Sequence, residues 1–256
     1  MMNPEEIPHI AASEAHFWWY RGMRKIMFAL LDRLAPARRF GPVLEAGCGT
    51  GHFARELGRR YGWRMFPLDL DSGGLRYARG YGCDRLAQAD IRQLPYAARS
   101  FDAVVSMDVI VHLPRGEEAL PLGEFARVLR PGGYLILRAS ALDILRSHHS
   151  AYAMERQRFT RERLGAAVRA QGFEVLRSTY ANTLLMPVAL AKFRIWEPLS
   201  GAQPSSGVEP VAPWLDKLLG LPLAAEARWI GGAGMNLPVG QSLIVVARLP
   251  GGGGLE

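Results

Sequence analysis

Apolar runs of strand length alternate along the chain with segments whose apolar residues recur at helical spacing. This is the pattern of a mostly parallel sheet covered by helices. Seven runs read as strands: "PVLEAG" around Val43, "WRMFPLDLD" around Arg64, "DRLAQAD" around Arg85, "FDAVVSMDV" around Asp102, "GGYLILRA" around Tyr134, "FEVLRSTYA" around Phe173 and "QSLIVVARL" around Ser242. Between them lie punctuated helices. "HFARELGRRYG" stops at Gly62, "SGGLRYARGYG" has Ser72 as its expected N-cap, "LPLGEFARVLRPGG" stops at Pro131, and "TRERLGAAVRAQGF" is capped by Thr160 and ended by Gly172.

Two regions depart from this rhythm. One helix is predicted from about Ser13 to Leu34, aromatic at its start. The stretch from about Asn182 to Gly240 is too long for a hairpin loop and carries helical pieces at "MPVALAKFRIWEPL" and "APWLDKLLGLPLAAEARWI", with "SGAQPSSGVEP" as a linker. The expected organisation is an N-terminal helical lid over 1–40, a core over 41–181 and 241–250, a helical insertion over 182–240, and a flexible tail over 251–256.

Composition narrows the class. A chain of 256 residues with 49% hydrophobic side chains can bury the core of one α/β domain. The net charge of +7 comes almost wholly from arginine, because Lys25, Lys192 and Lys217 are the only lysines. The arginines are scattered over helical faces and form no run, which argues against a nucleic-acid groove and leaves an anionic substrate or membrane surface open. Cys48 and Cys83 cannot form a disulfide framework, and no metal site is expected, so a reducing cytoplasm is the expected setting. The start of the chain lacks an apolar core of signal-peptide length. No later run approaches the roughly 20 apolar residues of a membrane span.

The chemistry begins where the first strand passes through Gly47, Gly49 and Gly51 into a helix. Without side chains, such a backbone can approach an adenosyl group closely. A dinucleotide fingerprint would place its third glycine three residues after the second. Here that position is His52 and the spacing is G-x-G-x-G.

Preceded by Glu45, this spacing resembles motif I of the class I S-adenosylmethionine-dependent methyltransferases, whose fold is a Rossmann-like three-layer α/β sandwich. Asp69, ending the second strand, then stands as the acceptor for both ribose hydroxyls, and Asp90 as the acceptor for the adenine amino group, with Ile91 against the ring. With "SFDAVVSMDVIVHL" and "RVLRPGGYLIL" following in order, the resemblance is strong from Glu45 to Leu137 and extends more weakly to both ends. It implies S-adenosylmethionine as cofactor, with further contacts from Ala46, Leu70, Met107 and Asp108. The "HFWWYRGMRK" segment either closes over that cofactor through Tyr20 and Arg21 or docks its aromatic face on the core.

The acceptor half is less legible. Many relatives carry Glu-His after the fourth strand, where this chain has Val111-His112. In the loop after the fifth strand His149 is kept, but Ser150 and Glu155 replace the usual Asp and second His. His112, His149 and Tyr180 are the candidate bases, needed only if the acceptor must lose a proton. The apolar 182–240 segment is expected to cover a small apolar or natural-product-like acceptor, or to form a homodimer interface. An RNA methyltransferase, a nicotinamide oxidoreductase and a non-catalytic cofactor-binding protein are the competing readings.

Overall fold

The computed structural model describes residues 2–34, 40–201, 203–208 and 211–251. Residues 252–256 of the expected 251–256 tail, the end of the N-terminal segment at 35–39 and Ala202, Glu209 and Pro210 of the expected linker lie outside the described residues.

Seven strands form one sheet: β1 (Pro42–Ala46), β2 (Arg64–Asp69), β3 (Ala87–Gln88), β4 (Phe101–Met107), β5 (Leu129–Ser140), β6 (Glu174–Ala181) and β7 (Ser242–Arg248). Their order is β3-β2-β1-β4-β5-β7-β6. The β1–β2, β1–β4, β2–β3 and β4–β5 pairs are parallel, whereas β7 runs antiparallel to both β5 and β6. The expected mostly parallel α/β sandwich is therefore observed. All five residues of β1 are buried, as a central strand covered on both faces requires.

Helices α3 (His52–Tyr61), α4 (Ser72–Gly80), α5 (Ala119–Val128), α6 (His148–Tyr152) and α7 (Arg161–Ala170) connect the strands. Gly62 ends α3 in the left-handed conformation, its N–H donating to the Gly58 carbonyl at 2.9 Å. Thr160 caps α7 by accepting from the Arg163 N–H at 3.3 Å. The cap of α4 is Asp71 rather than the expected Ser72: its carboxylate accepts from the Gly74 N–H at 2.9 Å, which leaves Ser72 as the first helical residue. Helix α5 ends at Val128, three residues short of Pro131, because Leu129 is already extended and paired with Phe101 of β4.

The N-terminal segment folds as two helices, not one. Helix α1 (Glu6–Ser13) is separated by a short turn from α2 (Trp18–Leu31). Helix α2 buries Met23, Ile26, Met27, Leu30 and Leu31 in the main core, while its first turns, with α1 and the intervening turn, overlie the site end of the sheet. The segment between β6 and β7 contains α8 (Met186–Ala191), a π-helical turn at Lys192–Trp196, α9 (Glu197–Ser200) and α10 (Pro213–Gly231). Pro198 has no N–H to donate to Arg194, and the helix widens just before it. Helix α10 packs along α2 so closely that a Cβ on Gly22 would lie 2.2 Å from Leu223 Cδ1.

Candidate active site

A cavity of about 910 Å³ opens at the carboxyl ends of β1, β2 and β4, where an open α/β sheet places its ligands. Its floor is the loop after β1. Gly47, Gly49 and Gly51 all adopt positive φ, at 80°, 53° and 75°. Their roles differ. A Cβ on Gly47 would meet Val109 Cγ2 at 2.2 Å and one on Gly51 would meet Ala78 Cβ at 2.5 Å, whereas Gly49 has no protein atom within 4 Å of that position. Gly47 and Gly49 line the cavity; Gly51 instead lets α3 and α4 pack together.

Asp69 braces this loop from the end of β2. One carboxylate oxygen accepts from the Gly49 N–H at 2.7 Å and the other from the Asp71 N–H at 2.9 Å. Burial raises its pKa, the two backbone donors opposing the shift. Asp90 sits in the cavity wall with Ile91, its carboxylate held by Arg92 at 2.7 Å and its pKa lowered by that pairing. Leu70, Met107 and Asp108 also line the wall.

Two carboxylate oxygens facing this cavity are orphaned. Glu45 is buried, Oε2 lacks any hydrogen-bond partner, and desolvation, reinforced by Asp69, pushes its pKa well up. Asp108 stands at φ 54°; its Oδ2 is bound by Arg138, with Nε at 2.9 Å, while its buried Oδ1 is unpartnered. Buried acceptors of this kind are costly unless a donor completes them. Together with the open face of Gly49, they fit a ligand that brings N–H or O–H donors and positive charge, as the amino-acid end, sulfonium and ribose of S-adenosylmethionine would.

Several expected residues lie elsewhere. Ala46 is buried in β1, its carbonyl accepting from Ser106 Oγ at 2.8 Å, and does not reach the cavity. Tyr20 lines it, and burial with Glu6 and Glu14 nearby raises its phenol, so it can serve as a neutral donor. Arg21 does not: it points to α10 and pairs with Asp216 at 2.7 Å, and Arg24 is the α2 arginine that lines the cavity. Tyr180 is also removed from the site. Its hydroxyl accepts from the Arg161 N–H at 3.0 Å, satisfying a free donor in the first turn of α7, and its ring lies in the core.

The two histidines do line the cavity. His112 Nδ1 is 3.3 Å from the Met154 carbonyl. A carbonyl only accepts, so Nδ1 carries the proton and Nε2 keeps its lone pair. Burial lowers the His112 pKa, which holds the ring neutral. His149 Nδ1 bonds the Ser206 carbonyl, 4.0 Å from Glu6 Oε1, and so ties α6 to α1 and to the segment before α10. The two altered loop positions meet through a third residue: Arg158 donates to Glu155 at 2.8 Å and to Ser150 Oγ at 2.8 Å.

Among the charged lining residues that sequence reasoning did not single out are Glu14, Arg138 and Arg158. Glu14 accepts from Thr50 Oγ1 at 2.7 and 2.6 Å and from the Tyr81 hydroxyl at 3.2 Å, which fastens the turn before α2 to the glycine loop. Nothing local marks it. Arg138 carried a signal, a cation within the otherwise apolar run "YLILRA". The remaining walls come from α1 and from the 182–240 segment, including Ile7, Ile10, Val188, Phe193 and Trp196. Among the described residues no group of His, Cys, Asp and Glu could hold a metal ion.

Residues 44–137 match the family described as a methyltransferase domain. A malonyl-[acyl-carrier protein] O-methyltransferase of Enterobacter lignolyticus is 35% identical over 169 residues, 65% of this chain and 66% of that protein. A fatty-acid O-methyltransferase of Mycolicibacterium smegmatis is 38% identical over 98 residues, 37% of this chain and 35% of that protein. The chain thus spans less than two thirds of the length of these relatives. Among solved structures, the phosphoethanolamine N-methyltransferase 2 of Haemonchus contortus, in complex with S-adenosyl-L-methionine, superposes with a TM-score of 0.57 at 19% identity, over 87% of this chain and 52% of that one. At that identity the likeness is one of fold.

Proposed function

The chain belongs to the class I S-adenosylmethionine-dependent methyltransferases, and from that premise we propose that it methylates an oxygen, nitrogen or carbon atom of a small apolar acceptor. One observation carries this reading. A single cavity runs from the carboxylates and glycine loop at the strand ends to the apolar side chains of α8 and the π turn, so that cofactor and acceptor share one enclosure.

When bound, S-adenosylmethionine supplies an electrophilic methyl group on its sulfonium. The chain's own residues do the rest. Asp69 holds the Gly49 amide in place while retaining lone pairs for the ribose hydroxyls, and the unpartnered oxygens of Glu45 and Asp108 take ligand donors. Ile7, Ile10 and Phe193 exclude water and orient the acceptor, with Val188 and Trp196 at the exposed edge of the cavity. Neutral His112 takes the acceptor's proton at Nε2 where the acceptor carries one. His149, bonded to Ser206 and near Glu6, holds the cover closed over the acceptor end.

No helix among the described residues is long and apolar enough to cross a membrane. Cys48 and Cys83 are free thiols, and a cytoplasmic setting is part of this proposal. Calorimetry should detect S-adenosylhomocysteine binding and none of NAD. Transfer of a labelled methyl group should favour apolar alcohols, phenols and acids over sugars and peptides. The reverse preference would falsify the acceptor assignment.

A further inference from the structure

Helix α10 is apolar on two opposite faces. Leu223, Glu226, Ala227 and Ile230 are buried. At about 100° per residue, Trp214, Leu218 and Leu221 fall on the other side, where they are 68%, 52% and 64% exposed. The outer face of a helix on a protein in water is ordinarily polar. Here its charged groups are Lys217 and Arg228, both cations and both exposed. The acids turn inward: Asp216 pairs with Arg21, and Glu226 accepts the backbone N–H groups of Asn182, Thr183 and Leu184.

The helix running from α8 through α9 repeats this segregation. Val188, Ile195, Trp196 and Leu199 are 61–80% exposed beside Lys192 and Arg194, while Glu197 is buried and accepts from the His148 N–H at 2.8 Å. Several surface arginines elsewhere are paired with carboxylates, as in Arg60–Asp32, Arg92–Asp90, Arg127–Glu124 and Arg130–Asp102, while others, Arg59, Arg64, Arg76 and Arg79 among them, are exposed without an ion pair to any described residue. Among the described residues Lys192, Arg194, Lys217 and Arg228 have no carboxylate partner.

We infer that the outer face of α8–α9 and α10 docks on an anionic lipid bilayer. Exposed tryptophan and aliphatic side chains can enter the headgroup boundary, while lysine and arginine extend their charge to lipid phosphates. The segregation of cations outward and carboxylates inward is the complement of a negative surface. Val188 and Trp196 belong both to this exposed face and to the wall of the cavity, which Lys192 and Phe193 also line. Docking of α8–α9 therefore sets that wall against the membrane, and an apolar acceptor enters without crossing water. This last clause rests on the proposed methyl transfer; the docking itself does not.

The test uses the whole chain. It should float with vesicles of equal parts phosphatidylcholine and phosphatidylglycerol, less so at high salt, and hardly at all with phosphatidylcholine alone. A variant combining Leu199→Glu, Leu218→Glu and Leu221→Glu, none of which lines the cavity, should partition at least about tenfold more weakly. Arg194→Glu with Lys217→Glu should abolish the preference for the anionic lipid, and both variants should bind S-adenosylhomocysteine as the parent does. Equal partitioning of parent and variants overturns the inference. So does a parent that ignores vesicles but sediments as a dimer that the triple variant dissociates, or one that ignores vesicles and captures an acidic protein through this face. Loss of S-adenosylhomocysteine binding in the parent, with vesicle binding intact, strikes the methyltransferase reading and leaves the docking standing.

Discussion

Asp69 has two duties, since the oxygens that would face a ribose also hold the amides of Gly49 and Asp71. Asp69→Ala should therefore weaken S-adenosylhomocysteine binding by about 1–3 kcal/mol, read by calorimetry; unchanged affinity would remove the ribose assignment. His112 is separable from the cofactor. His112→Gln should lower kcat by at least about 100-fold toward an acceptor that must lose a proton, with cofactor affinity preserved. Its pKa lies below 6.5 because burial penalises the imidazolium. The base is then competent above that pH and is lost on acidification, so the acid limb of the kcat profile should fall below pH 6.5 and vanish in the variant.

The glycine loop and the helices that cover it make distinct demands at the scale of the element. Gly47 and Gly49 both have positive φ, so an alanine at either costs about 1–2 kcal/mol of backbone strain. Gly47→Ala also collides with Val109, whereas Gly49→Ala meets only the cavity. Urea unfolding should show the larger loss of stability for Gly47→Ala. Calorimetry should show lost cofactor affinity for Gly49→Ala even where its fold is retained. On the acceptor side, Glu226 anchors the start of α8 by accepting three successive backbone N–H groups from inside α10. Glu226→Gln turns an amide NH2 toward donors and should cost about 1–3 kcal/mol of stability. It should also raise KM for the acceptor while leaving S-adenosylhomocysteine affinity in place.

For the whole molecule, Glu45 and Asp108 leave buried acceptors open, which the cofactor would complete on the proposed reading. Ligand that binds only the folded chain stabilises it by about 2.7 kcal/mol at one hundred times its Kd. For a chain of this size that corresponds to a rise in Tm of roughly 5–10 °C. Thermal unfolding with S-adenosylhomocysteine should show this shift and NAD should not. The organisation behind it is asymmetric: the proposed cofactor end is built on strand termini, while α1 and the segment between β6 and β7 line the end proposed for the acceptor.

Periodicity and punctuation by themselves determined the seven strands, the connecting helices α3, α4, α5 and α7 and the order of the glycine and aspartate motifs, because these are local properties of neighbouring residues. The run from Glu45 through Gly49, Asp69 and Asp90 was legible for that reason, each residue standing at the end of a strand whose apolar pattern is explicit. Only the tertiary structure decided which side chains of long segments share an enclosure. It turned Arg21 to Asp216 and brought Arg24 inward, spent the Tyr180 hydroxyl on α7, placed Gly51 in a helix contact and joined Ser150 to Glu155 through Arg158. It also decided that the acids of α10 face the core and its cations face out. Most of these outcomes depend on partners tens to hundreds of residues away, as in the sequence separation of 195 between Arg21 and Asp216, and no local spacing encodes them.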